Sequence, residues 1–415
     1  MERRPGVMRH NKQYVIVGGS LAGATAAITL REQDPDASVT LIGAEHQPPY
    51  ERPPLSKRYL RGEVPFGSAL VQPKAFYAEH RIKTMFGIRA TRLDPSARFV
   101  ELEDGCRVPF DALLIATGGR IRRLEIPGSE LCGIYGLRSV DDADRIKAEM
   151  SPGRRVVVVG MGFIGSEVAA SLSQHGLDVV TIEPAKTPLS RVLGEDVGQR
   201  LADIHRAHGV RMIFEDAVAG FEGKERVARV VTRAGVSLEC DFVVVAVGID
   251  PVVDILDGTG IHASNGVVVD QYCETSVRGI YAAGDVANHY HPVFDRLMRV
   301  EHWRNAVKQG LVAARNMLGQ AVVYDEIPWF WSDQYDATLQ YAGFHTNWEQ
   351  LVLRGRPESG SFLACYLNDG RIDAVAGLNR AKEVRGSIPL IKARARVDPR
   401  QLHDESVDLR SLNVG

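Results

Sequence analysis

The chain has 415 residues, of which 45% are hydrophobic and 25% charged, and its formal net charge is −2. That length exceeds one ordinary core and implies two or three domains, and the near-neutral charge excludes a global pull toward nucleic acid or anionic membrane. The basic start MERRPGVMRHNK has no apolar stretch behind it, and no apolar run approaches the roughly 18 residues of a membrane span. The five cysteines (106, 132, 240, 273, 365) are odd in number, far apart and without C-x-x-C spacing. This argues for free thiols in a reducing, cytoplasmic setting, with no disulfide or zinc framework.

Residues 14–42 open the pattern with a β-branched strand (YVIV), a glycine turn, an Ala-rich helix and a second strand (VTLI). This strand–helix–strand order with Gly18-Gly19-Ser20-Leu21-Ala22-Gly23 at the turn is that of a dinucleotide site. Gly18 permits the turn and Gly23 lets helix and strand approach, so a pyrophosphate can sit on the helix N-terminus, where unpaired N–H groups favour anions. The middle glycine of G-x-G-x-x-G is Ser20, and the second strand ends in Gly43 rather than an acid, which leaves Glu45 as the nearest candidate for a ribose. "DALLIATGG" (111–119) is an apolar strand running into Ala116, Thr117 and Gly118.

Residues 155–183 repeat the plan with the complete motif Gly160-x-Gly162-x-x-Gly165, enclosing Phe163 and Ile164. Glu183 ends the second strand, where an acid binds a ribose 2′-hydroxyl. No arginine stands beside it for a 2′-phosphate, so NADH is expected over NADPH. "CDFVVVAVGIDP" (240–251) closes this unit at Val247 and Gly248 as "DALLIATGG" closes the first. "GIYAAGDVA" (279–287) is a strand ending in Gly284-Asp285, expected at a helix start and in contact with FAD, and "EHWRNA" (301–306) is expected to open a helix. Beyond it, "IPWFWSDQYDATLQYAG" and "SFLACYLNDGRIDAVAGL" alternate as antiparallel strands do. The implied order is an FAD-binding domain (residues 1–121 and 250–325), an inserted NAD-binding domain (122–249) and a C-terminal α+β domain (326–415).

The motifs PYERPPLSK (49–57), GMGFIGSEVA (160–169), GIYAAGDVA (279–287), EHWRNAVKQG (301–310) and PWFWSDQYD (328–336) resemble those of glutathione-reductase-like flavoproteins. More closely, they are similar to the NADH-dependent ferredoxin, rubredoxin and putidaredoxin reductases of bacterial oxygenase systems. The resemblance implies FAD in the first domain and NADH in the second. It implies Arg52 beside the FAD, Lys57 near the reactive flavin nitrogen and paired with Glu167, and Glu301, His302 and Trp303 at the flavin ring, with Trp331 an aromatic near it. The two prolines of RPPLSK are expected to hold that segment extended and its cations preorganised.

Relatives of this architecture that work through a thiol need a cysteine near the flavin, and residues 43–66 contain none. Direct one-electron exit to an acidic [2Fe–2S] ferredoxin is the expected route. The carrier would dock near the basic residues Arg296, Arg299, Arg304 and Lys308, or along the basic stretch 380–396. The alternatives are a cysteine-independent NADH oxidase or quinone reductase, and a redox sensor resembling apoptosis-inducing factor.

Overall fold

A computed structural model describes residues 11–412; residues 1–10 of the basic start lie outside the described residues. Among the described residues two compact units emerge, each built from separated chain segments: residues up to 51, 70–119 and 251–326 in the first, and 52–69, 120–250 and 327 onward in the second.

In the first unit a five-stranded parallel sheet runs in the order Ile280–Ala282, Ala112–Ile115, Gln13–Val17, Ser38–Gly43, Ile82–Phe86. The two sheet neighbours of Gln13–Val17 lie on either side of it, so its carboxyl end opens at the point where strand order reverses, the place such sheets bind ligands. The helix Leu21–Gln33 covers one face and packs against the helix Trp303–Met317. Their contact is close because Gly310 has no side chain: a Cβ there would stand 2.4 Å from the Ala22 carbonyl oxygen.

The second unit repeats the doubly wound plan with Arg211–Phe214, Asp178–Glu183, Arg155–Val159, Phe242–Val245 and Ile134–Tyr135, again parallel. The strands read as near-continuous valine runs because both faces are buried. The C-terminal residues add a five-stranded antiparallel sheet in the order Trp329–Gln334, Ala337–Gly343, Arg371–Leu378, Ser361–Asn368, Gln350–Arg356. The expected α/β class with a C-terminal α+β part is what the structure shows. No helix among the described residues is long and apolar enough to cross a membrane.

The segment 52–69 packs within the second unit, not with the strands that precede it in the chain. It is also not extended. Pro53–Ser56 form a 3-10 turn, with Leu55 N–H on the Arg52 carbonyl and Lys57 N–H on that of Pro54. The fixed φ of proline suits the first turn of a helix as well as an extended strand, so the prolines stiffen the segment in the other geometry.

Three histidines among the described residues, His205, His289 and His291, are wholly enclosed. Burial pushes His205 down to about 4 and His289 to about 3. His205 and His289 are therefore neutral in the folded protein below the ordinary titration near pH 6.5, while the unfolded chain takes up a proton there. Stability is complete above pH 6.5 and falls as pH drops toward 4, by up to about 1.4 kcal/mol per pH unit for each histidine. Urea unfolding at pH 7 and pH 5 checks this: the midpoint should be lower at pH 5, and His205→Gln should flatten the dependence.

Candidate functional site: two nucleotide cradles and a buried ion pair

The first cradle forms where the strand Gln13–Val17 meets its helix. Gly18 has φ +128°, and a Cβ on it would stand 2.0 Å from the Ala116 carbonyl oxygen. A Cβ on Gly23 would stand 2.0 Å from the Gly18 carbonyl oxygen. Ser20 is the helix N-cap, with extended backbone (φ −119°) and no side-chain cap bond. That conformation is open to any residue, which explains why serine replaces the motif's middle glycine, and it leaves Leu21 and Ala22 as the first helical amides. Thr117 donates through Oγ1 to the Val252 carbonyl at 2.6 Å, and Gly118 follows at φ +67°. Gly284 (φ +80°) lies against Ala22 and donates its N–H to Gln309 Oε1 at 2.9 Å.

Asp285 is not at a helix start. A strand, Ala287–His291, follows it, and the helix at this end of the unit begins at Trp303, with His302 as N-cap. The Ala287 N–H closes a turn onto Gly284, which is why the glycine–aspartate pair leads into strand. Burial lowers His302 to about 4, so this imidazole is uncharged at neutral pH. Glu45 accepts a hydrogen bond from the Tyr50 hydroxyl.

Of the four cations read as a docking cluster, Arg299 is withdrawn. Its side chain is 10% exposed and is held by Glu301 at 2.6 Å, Asn265 at 3.1 Å and the Asp285 carbonyl at 3.2 Å. Arg304 and Lys308 lie one helical turn apart and share Glu326, at 3.4 and 3.3 Å. Arg296 is exposed.

The second cradle repeats this close packing. A Cβ on Gly165 would stand 1.9 Å from the Gly160 carbonyl oxygen, and one on Gly160 (φ +93°) 2.6 Å from that of Ala246. Gly162, the N-cap of the helix Phe163–Gln174, faces open space. Phe163 packs edge-on against Phe330 at 4.4 Å, Ile164 is exposed, and Gly248 (φ +101°) follows Val247 beyond the strand Phe242–Val245. Glu183 accepts the Met161 N–H at 2.7 Å and the Ala185 N–H at 3.0 Å, which fixes its carboxylate beside the glycine turn.

These differences give a split prediction. Gly165→Ala should unfold or strongly destabilise the second unit. Gly162→Ala should leave the melting temperature unchanged and raise KM for NADH about tenfold, because its methyl fills the space over the helix amides. Thermal unfolding beside steady-state kinetics separates the two.

The third element is a buried carboxylate. Glu167, on the helix Phe163–Gln174, is 4% exposed and sits 2.8 Å from Lys57 Nζ. Ser332 Oγ donates to it at 2.7 Å, and Ser56 Oγ donates to its other oxygen. Ser171 Oγ holds the Ser56 carbonyl at 2.7 Å, and Arg52 donates to the Arg138 carbonyl. A buried charge is tolerated where it is paired and hydrogen-bonded, and both conditions hold here. Sequence reasoning named Lys57 and Glu167 but missed Ser56 and Ser332. Both lie inside segments it singled out, RPPLSK and FWSDQ. Trp331 lies on the opposite face of its strand from Ser332, stacked on Trp329 at 5.6 Å and bonded to Asp333.

With these geometries in place, comparison with known proteins decides the family. The family described as pyridine nucleotide-disulphide oxidoreductase matches residues 12–310, and the one described as reductase C-terminal matches 329–413. The chain belongs to the pyridine nucleotide-disulphide oxidoreductases. The ferredoxin–NAD(+) reductase component of the anthranilate 1,2-dioxygenase system of Burkholderia cepacia is 38% identical, over 96% of this chain and 98% of its own. Putidaredoxin reductase of Pseudomonas putida is 32% identical, over 98% and 97%. The crystal structure of the covalent putidaredoxin reductase–putidaredoxin complex matches with a TM-score of 0.93 at 32% identity, covering 96% of this chain and 97% of that one. The chain is a flavoprotein oxidoreductase that uses FAD and NADH, and the two glycine cradles fit those cofactors' pyrophosphates.

Proposed function

We propose that the chain carries electrons from NADH through FAD, one at a time, to an acidic [2Fe–2S] ferredoxin that feeds a Rieske oxygenase or a cytochrome P450 in the cytoplasm. The observation that carries this reading is the buried Lys57–Glu167 pair, in the unit that holds the NADH cradle, in a chain with no cysteine in residues 43–66. Bound FAD supplies the conversion between two-electron and one-electron chemistry.

The protein's own residues do the rest. Gly18, Ser20, Leu21, Ala22 and Gly23 present helix amides to the FAD pyrophosphate, with Ala116–Gly118, Gly284 and Asp285 around them. Glu45 takes an FAD ribose. The opening of the helix Trp303–Met317, with Glu301, His302 and Trp303, serves the flavin ring. The neutral His302 contributes shape and dipole rather than a proton. Lys57 presents its ammonium to the flavin, with Arg52 supporting it, and Glu167 pairs with Lys57 and aims it. On the NADH side, Gly160, Gly162, Phe163, Ile164 and Gly165 take the pyrophosphate, and Val247 and Gly248 complete the NADH cradle. Trp331 serves the electron's exit in this reading.

Glu183 selects the cofactor. Its carboxylate, fixed by two backbone amides, accepts a ribose hydroxyl and repels a 2′-phosphate. Glu183→Ala should raise the ratio of kcat/KM for NADPH over NADH about tenfold, and unchanged selectivity would remove this role. For docking, Arg296, Arg304 and Lys308 are the solvent-facing cations, and an acidic partner competes with Glu326 for two of them. The function itself is tested by supplying NADH with a purified [2Fe–2S] ferredoxin. Ferredoxin reduction should far outpace oxygen consumption, whereas an oxidase would consume oxygen with no carrier present.

A further inference from the structure

The Lys57–Glu167 pair does not end at Ser332. Along the strand Trp329–Gln334 the residues Phe330, Ser332 and Gln334 are buried, while Trp329, Trp331 and Asp333 alternate to the other side. On the buried side Gln334 Nε2 lies 3.2 Å from Ser332 Oγ. Gln334 Oε1 lies 3.0 Å from Nε2 of His205, near the end of the helix Ser190–Ala207, and His205 Nδ1 lies 3.1 Å from the Tyr335 hydroxyl. Ser332, Gln334 and His205 are each no more than 2% exposed.

The chemistry of each link fixes its direction. An ionised carboxylate only accepts, so Ser332 spends its proton on Glu167 and must accept from its other neighbour. That neighbour is therefore the Gln334 amide N–H, because the reversed amide would set two oxygen lone pairs face to face. The Gln334 oxygen then accepts from His205 Nε2–H. A neutral imidazole carries one N–H, so Nδ1 accepts from Tyr335. Every donor in the run Tyr335, His205, Gln334, Ser332 points toward Glu167. Hydrogen bonds aligned in this way polarise one another in a low-dielectric interior.

We propose that Ser332, Gln334 and His205 are positioning residues for the Lys57–Glu167 pair, a one-way run of donors that fixes the Glu167 carboxylate and, through it, aims Lys57. The proposal rests on the reading that Lys57 acts on the flavin. It assigns no proton relay: Gln334 interrupts the run, because an amide N–H and its carbonyl oxygen do not hand a proton on as hydroxyls and imidazoles do. The C-terminal part of the chain thereby contributes to the redox site, and the FWSDQ stretch has a use on its buried face distinct from that of Trp331.

The test combines a tautomer measurement with a set of variants. In the unsubstituted holoenzyme, ¹⁵N NMR should show His205 as the neutral Nε2–H tautomer at pH 7; a Nδ1–H tautomer overturns the proposal. Ser332→Ala should slow flavin reduction at saturating NADH about tenfold, the scale of one hydrogen bond to a charged group. Gln334→Leu and His205→Phe should each slow it roughly threefold, since polarisation weakens along the run. KM for NADH should not change, and the flavin midpoint potential should become more negative. His205→Gln, which restores a neutral N–H near Nε2, should recover rate and potential. Folded variants with the parent rate and potential overturn the inference. Lys57→Met is measured alongside: if it reduces at the parent rate, the underlying reading of Lys57 fails instead.

Discussion

Lys57→Met is expected to slow flavin reduction by NADH about 100-fold, the scale of removing one preorganised charge from a water-poor site. The ammonium is 2.8 Å from a carboxylate that is itself buried, so its position is fixed before any cofactor arrives. The substitution should also destabilise the protein by about 3 kcal/mol, because it takes the cation from a buried ion pair and leaves the Glu167 carboxylate with only the two serine hydroxyls. The double variant Lys57→Met/Glu167→Gln separates the two effects. The glutamine amide still meets Ser56 and Ser332 and carries no charge, so stability should return while the rate does not. Chemical unfolding and single-turnover reduction on the same three proteins make the comparison. A double variant that regains rate along with stability would show that the pair serves only the fold.

Arg354→Met should cost about 3–5 kcal/mol and release the end of the chain. Arg354 lies on the antiparallel sheet with its side chain 3% exposed, and its Nε reaches Glu383 at 2.7 Å. Its two terminal nitrogens donate to the carbonyls of Leu402 (3.2 Å), Asp404, Glu405 (3.1 Å) and Val407 (2.8 Å). Methionine keeps the volume and removes all five donors. Arg354→Lys should rescue only in part, because an ammonium offers three donors without the guanidinium's planar fork. Urea unfolding reads the loss, and limited proteolysis should cut residues 402–407 in Arg354→Met before the rest of the chain. A variant as stable and resistant as the parent would refute the clamp.

What the sequence made legible follows from the range of each signal. The two strand–turn–helix units were readable because Gly18 with Gly23, and Gly160 with Gly165, do their work within six residues, and the strands on either side are unbroken apolar runs. Repetition of that local pattern pointed to two dinucleotide sites, while Glu183 favoured NADH in the second and the resemblance put FAD in the first. The pair Lys57–Glu167 is 110 residues apart in sequence, so resemblance rather than spacing brought it forward. Ser56, Ser332 and Gln334 carried no signal of their own, since serine and glutamine are ordinary surface residues until a fold buries them. His205 was hidden in the same way within the charged helix sequence DIHRAH. Arg299 failed in the opposite direction: counting cations found it, but only packing shows that Glu301 and Asn265 hold it inward. The RPPLSK turn was misjudged because proline restricts φ to a value shared by extended and helical backbone, and hydrogen bonds from Leu55 and Lys57 decide between them.

The most direct test of the account is stopped-flow mixing of the FAD-loaded protein with NADH and, separately, with NADPH, followed by oxidised [2Fe–2S] ferredoxin. The account predicts rapid bleaching of the flavin by NADH, slow bleaching by NADPH, and fast reoxidation coupled to ferredoxin reduction at two carriers per NADH. A reduced flavin that ignores ferredoxin and is reoxidised by oxygen or a quinone would contradict it.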